Sequence, residues 1–116
     1  MAIPMKLWLD DLREPPDHTW TWACTSAWAI VLMTHFPCEE VSFDHDLGMR
    51  IDGTEDKGTF LAEWIEAQVE EHAMPVPRWA VHSSNPAGRK NLELIMRRCE
   101  RVEDSRRPTL EEVIRG

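Results

Sequence analysis

The sequence predicts an α/β domain built on a parallel sheet, with its working edge at the C-terminal ends of the strands. Two observations carry this. Short apolar runs alternate with helical patterns along the chain, the order that produces strand–helix–strand units. Three of the four apolar runs also stop at ionisable residues: Asp10 and Asp11, Asp44 to Asp46, and His82. A chain without a site scatters its charges over both strand ends, whereas open parallel sheets bind ligands beyond the carboxyl ends of their strands.

Taken in order, Met5–Leu9 is an apolar run that reads as a buried first strand. Pro15 and Pro16 forbid a helix after it, so Leu12 to Asp17 is expected to be a rigid loop. Residues 19–24 place Trp20, Trp22 and Cys24 on alternate positions and suit a second strand. Thr25 or Ser26 caps a helix through Phe36 that is apolar almost all round and therefore expected to be largely buried; Pro37 ends it. Residues 41–44 are the third strand, followed by a polar loop at 49–57 that is placed to lie over a site.

Residues 59–72 form an amphipathic helix with Phe60, Leu61, Trp64, Ile65 and Val69 inward. Pro75 and Pro77 break the chain before a short strand at Trp79, Ala80 and Val81. Asn85 followed by Pro86 signals an N-cap and first helical position, and Leu92, Ile95, Met96, Cys99 and Val102 keep one buried face. Thr109 and Glu112 make a capping box for a last short helix.

At 116 residues the chain is expected to form one domain, 1–116. Its net charge of −8, from 21 acids against 13 Lys and Arg, argues against a duplex DNA or RNA backbone as partner, since that demands a basic face. Cys24, Cys38 and Cys99 contain no CxxC pair and are read as three reduced, buried thiols in a cytoplasmic protein. The longest apolar stretch, 27–33, is too short for a membrane span.

The chemistry lies at the strand ends. Asp10, Asp11 and Asp44, with Asp46 as a further candidate, would raise each other's pKa if the first and third strands are neighbours. A hard divalent cation, Mg²⁺ above all, resolves that crowding and keeps waters for a phosphate. His82, Ser83 and Asn85 bring an acid–base group, a hydroxyl and a helix start to one place, and helix starts hold phosphate; Arg89, one turn in, and Arg13, on the proline loop, are candidate phosphate contacts. His45 is expected on the opposite face from Asp44 and Asp46 if the strand continues, and is the second candidate for proton transfer. The six Trp are read chiefly as core, with Trp20 or Trp22 the candidates for stacking on a nucleobase.

Leu9-Asp10-Asp11-Leu12-Arg13-Glu14-Pro15-Pro16, then Val41-Ser42-Phe43-Asp44-His45-Asp46-Leu47-Gly48, then His82-Ser83-Ser84-Asn85-Pro86-Ala87-Gly88 together resemble the cyclic-phosphate-processing receiver-like family, derived from the receiver domain of two-component signalling. Its members are small stand-alone proteins, often of phages and bacteria. The resemblance implies a three-layer receiver-like (flavodoxin-like) fold with a reduced four-stranded parallel sheet, order 2-1-3-4, lacking the fifth strand. It also implies Asp10 and Asp11 as metal-holding residues, Asp44 at the phospho-acceptor position and Ser83 at the Ser/Thr switch position. The receiver lysine of the fifth strand has no counterpart, and the proline loop replaces the first helix.

The expected function is therefore metal-dependent hydrolysis of a cyclic phosphate on a nucleotide or RNA end: Asp44, His82 and His45 catalytic, Asp10, Asp11, Asp44 and Asp46 on the metal, and Ser83, Asn85, Arg13 and Arg89 on phosphate. The alternatives are a module that sequesters a cyclic nucleotide without turnover, and an aspartyl-phosphate signalling receiver.

Overall fold

The computed structural model describes residues 3–115; residues 1, 2 and 116, the ends of the expected domain, lie outside the described residues. In chain order the elements are β1 (Met5–Leu9), β2 (Trp20–Ala23), α1 (Ser26–His35), β3 (Cys38–Phe43), β4 (Asp46–Met49), β5 (Glu55–Lys57), α2 (Gly58–His72), β6 (Arg78–Val81), α3 (Pro86–Ser105) and α4 (Leu110–Arg115). Four strands form a parallel sheet in the order β2-β1-β3-β6, while β4 and β5 pair separately. This is the receiver-like α/β fold with the expected 2-1-3-4 order of its four sheet strands.

Chain direction decides which face the helices cover. The steps β2–α1–β3 and β3–α2–β6 run the same way across the sheet, so right-handed crossovers put both helices on one side. There α1 packs against α2 and α2 against α3. Beneath them Leu7, Leu9, Val41 and Phe43 are fully buried, against Leu61, Ile65 and Val69 of α2 and Leu92, Met96 and Cys99 of α3. Each such large side chain contributes about 1.5–3 kcal/mol. On the other face, where the three-layer expectation puts more helix, the proline loop lies over Trp8, whose Nε1–H donates to the Arg13 carbonyl at 2.8 Å. Trp22, Arg78 and Ala80 stay exposed.

The caps follow the local chemistry. Thr25 accepts from the Trp28 N–H and Asn85 from the Gly88 N–H. Thr109 and Glu112 satisfy each other's backbone N–H groups, each at 3.2 Å, a reciprocal capping box.

Three expectations are corrected. Helix α1 buries only Ser26, Ala29 and Met33, leaving Trp28 and Val31 exposed, because it has a single helical neighbour, α2, at the edge of the layer. Cys24 is exposed and Cys38 half-buried, so only Cys99 is a buried thiol; burial still pushes the Cys38 and Cys99 thiols up to about 11. Finally, residues 49–57 are no plain loop but belong to an antiparallel hairpin, pairing Asp46 with Lys57 and Met49 with Glu55. Gly53 turns it at φ +86°, and Asp52 accepts from the Thr54 N–H and hydroxyl, a turn such residues favour. The hairpin is fastened from outside itself. Asp56, 3% exposed, accepts from the Ser26 N–H at 2.9 Å and from the Ser26 hydroxyl, a carboxylate seated at the positive end of α1.

Helix α3 meets the end of β3 through Gly88. A Cβ there would fall 2.2 Å from the His45 ring, which is itself 8% exposed. Gly88→Ala is expected to cost about 1–3 kcal/mol by overpacking in urea denaturation. Much of that loss should return in the Gly88→Ala/His45→Ala double variant relative to the sum of the singles, as for residues in contact.

Candidate functional site

The site is assembled by the ends of β1, β3 and β6. Asp10 follows β1, Asp44 follows β3 and His82 follows β6, held level by backbone bonds from Asp44 N–H to the Leu9 carbonyl (2.8 Å) and from His82 N–H to the Phe43 carbonyl (2.9 Å). One carboxylate oxygen from each of Asp10, Asp11 and Asp44 lies within 4.8 Å of the others, a set able to hold a metal ion.

Asp10 is the most constrained member. Its Oδ1 accepts from the N–H groups of Leu12 and Arg13, at 2.9 and 2.7 Å, turning the chain into the proline loop. Its Oδ2 meets His82 Nε2 at 2.9 Å, and its carbonyl accepts from Trp22 Nε1–H at 2.7 Å. His82 Nδ1 in turn lies 2.8 Å from the Ser42 hydroxyl, and the ring stacks on Trp8, centroids 3.9 Å apart and planes within 2°. Trp8 and Ser42 are register partners on β1 and β3; the small serine leaves room for the imidazole beside the indole. An ionised Asp10 only accepts, so Nε2 carries the proton and Nδ1 of the neutral ring accepts from Ser42.

Three titrations follow. Burial alone would raise Asp10, but the Arg13 and Leu12 N–H groups and His82 outweigh it and hold the carboxyl below its ordinary value. Asp44 goes the other way, raised by burial and by the charges of Asp10 and Asp11 against the opposing His45 N–H and His82. Burial depresses His82 despite its bond to Asp10. Asp10 and Asp44 are thus unequal: the first is stabilised as an anion, the second disfavoured as one.

Two glycines bring backbone to this edge. A Cβ on Gly58 would stand 2.0 Å from the Asp44 carbonyl oxygen, and Gly58 N–H donates to the His45 carbonyl at 2.8 Å, so the start of α2 presses directly on the bend that presents Asp44. Gly48, at φ +78°, sits with its Cβ position 3.4 Å from Asp11 Oδ2.

The remaining candidate residues divide. Arg13 donates from Nη1 to the His82 carbonyl at 3.3 Å, tying the proline loop to the site's rim. Ser83, buried, accepts from the Asn85 N–H at 3.1 Å. Asn85 both caps α3 and donates to Asp46 Oδ2 at 3.2 Å. His45 turns away from Asp44 to the α3 side, with Nδ1 2.8 Å from Asp46 Oδ1, a contact that holds Asp46 below the usual carboxylate range. The acidic trio therefore contains Asp10, Asp11 and Asp44, while Asp46 joins His45 and Asn85 beside it. Arg89 pairs along α3 with Glu93 at 3.3 Å. Sequence reasoning missed Trp8, Ser42 and Gly58, and named Trp22 for stacking on a base rather than for its bond to the Asp10 carbonyl; the legible signal was Ser42, a polar residue inside an apolar run two positions before Asp44.

Because the native pKa of His82 lies below its unfolded value near 6.5, the unfolded chain binds more protons between the two. That contribution to stability is complete above pH 6.5 and is lost as the pH falls through the native value. An NMR titration of the His82 ring should give a midpoint below 6.5, and Asp10→Asn, which removes the carboxylate that supports the imidazolium, should lower it further.

Over residues 5–98 the chain matches the family described as the cyclic-phosphate processing receiver domain. No curated protein and no solved structure matches it. The family match runs from β1 through the acidic trio and into α3, most of the chain, and the protein belongs to the cyclic-phosphate processing receiver domain family.

Proposed function

We propose that this protein hydrolyses a cyclic phosphate on a nucleotide or an RNA end, using a divalent cation, Mg²⁺, held by Asp10, Asp11 and Asp44. The observation that carries the reading is the convergence of these three carboxylates at the strand edge of a chain from this family. The donor set fits the ion: oxygen ligands suit a hard cation, and a positive charge offsets both the burial and the neighbouring carboxylates that raise Asp44. Such an ion supplies charge neutralisation at phosphate oxygens.

The protein residues do the rest. The Leu12 and Arg13 N–H groups and His82 fix the direction of Asp10. His82 acts here as a positioning residue, since both its ring nitrogens are engaged. Asp44 takes the proton from the attacking water as the water oxygen bonds to phosphorus. One ring P–O bond breaks, and the leaving sugar oxygen receives that proton. Arg13, Ser83 and Asn85 line the approach on the β6 side. With a net charge of −8, a small phosphorylated ligand suits the protein better than a duplex. The engagement of His82 also favours a second reading, a module that holds a cyclic nucleotide without turnover.

Two measurements test this. In metal-free buffer Asp44→Asn should raise the melting temperature by a few degrees, on the order of what 0.5–1 kcal/mol produces in a domain of this size, whereas Mg²⁺ should stabilise the wild type and not the variant. Incubation with 2′,3′- and 3′,5′-cyclic nucleotides should give ring-opened product that EDTA abolishes and Asp44→Asn reduces by at least about 10²-fold. Bound but unopened ligand would favour sequestration, and a stable acetyl-phosphate label on Asp44 would favour signalling.

A further inference from the structure

The geometry points to a nucleobase subsite beside the acidic trio, in the cleft between the β4–β5 hairpin and the start of α1; we propose that it receives the base of the nucleotide whose phosphate lies at Asp11 and Asp44. The inference rests on the cyclic-nucleotide reading above and extends it to how substrate is recognised. The cleft has a volume of 370 Å³, with Met49, Arg50 and Ile51 on the hairpin side and Thr25 and Ala27 on the helix side, within the range of about 300–1,000 Å³ common for small-ligand sites.

Its position follows from the chain. Met49 comes directly after Gly48, which approaches Asp11 Oδ2 so closely that a Cβ would lie 3.4 Å away. On the other side, Thr25 comes two residues after Ala23, whose carbonyl accepts from the Asp10 N–H at 3.1 Å. Both walls of the cleft therefore touch the acidic loop within two residues of the cleft itself. A nucleotide with its phosphate at the trio can carry its base across Gly48 into this space.

The lining suits a base. Met49 is 72% exposed and Ile51 fully exposed, two large apolar side chains held in water at the edge of the site, and flipped or splayed bases are gripped between apolar or aromatic faces. Polar groups at the rim can read a base edge. The Arg50 guanidinium, lying 4.7 Å over the Phe60 ring, offers fixed donors. The Thr25 hydroxyl accepts from the Trp28 N–H and keeps its own hydrogen to donate. The wall is also built to hold its place: Asp56 bonds the hairpin to Ser26 at the helix start, so the two sides of the cleft are joined at its floor. The hairpin that replaces the expected loop thus supplies both a neighbour for Asp11 and a face for the base.

The test compares adenosine and uridine 2′,3′-cyclic phosphates, methyl riboside 2′,3′-cyclic phosphate (which lacks a base) and the free nucleosides, with Mg²⁺ present, by NMR titration of the full chain labelled at methionine and isoleucine methyls and at backbone amides. The nucleoside cyclic phosphates should bind roughly tenfold more tightly than the base-free compound, the scale of one stacked base, and should shift Met49, Ile51 and Ala27 together with Gly48. Ile51→Asp, at a fully exposed position that folding does not use, should bring their affinity down to that of the base-free compound; Met49→Ser should act in the same direction. Equal affinity with and without a base, or shifts at Gly48 and Asp11 alone, would overturn the subsite while leaving the phosphate reading intact. Shifts at Met49 and Ile51 with free nucleosides, but none at Gly48 with any phosphate, would support the subsite and overturn the phosphate reading.

Discussion

The bond between Asp10 and His82 is the constraint on which the site depends. It joins the end of β1 to the end of β6 across β3, the strand between them that delivers Asp44. Neither partner is stable in this place by itself: burial disfavours the charge on Asp10 and would disfavour an imidazolium at residue 82. The carboxylate persists because two N–H groups and an imidazole donor replace the water it loses. The imidazole stays neutral, bonded through both nitrogens and stacked on Trp8. A buried charge satisfied this fully is costly to disturb by removing one partner, which is why the proline loop, Trp8 and Ser42 are all arranged to keep it.

Against that fixed corner, Asp44 is deliberately uncomfortable. Burial and two neighbouring carboxylates raise it, while Gly58 lets the start of α2 approach its carbonyl. Perturbed carboxyls with a charged neighbour of this kind cluster at functional sites. The same division separates the two histidines. His82 serves the anion on the acidic side, whereas His45 passes to the α3 side, packs on Gly88 and orients Asp46. Alternation along a strand would send adjacent side chains to opposite faces; past the end of β3 at Phe43 His45 still parts from Asp44, but it shares a side with Asp46, to which it bonds.

Much of the fold was legible because its causes are local. Apolar runs bounded by prolines, the Asn85-Pro86 cap and the Thr109–Glu112 box each act within a few residues. The hairpin was not legible for the opposite reason. Asp-Leu-Gly-Met and Glu-Asp-Lys contain few of the β-branched and aromatic residues that favour strands, and their pairing is secured by Asp56 reaching Ser26, thirty residues away in sequence. Helix α1 misled for a related reason: its apolar circumference implies burial on all sides, yet the sheet order gives it one helical neighbour.

The amino-acid sequence by itself determined which residues could carry the chemistry and at which end of the sheet they would gather, since strand period and strand termination are properties of short segments. Only the tertiary structure decided what each acid and histidine does there. Asp10, Asp11 and Asp44 form one group while Asp46 joins His45 and Asn85, and His82 is held rather than free. Those roles depend on distances of a few ångströms between strands far apart in the chain, and on a desolvation that no local pattern encodes.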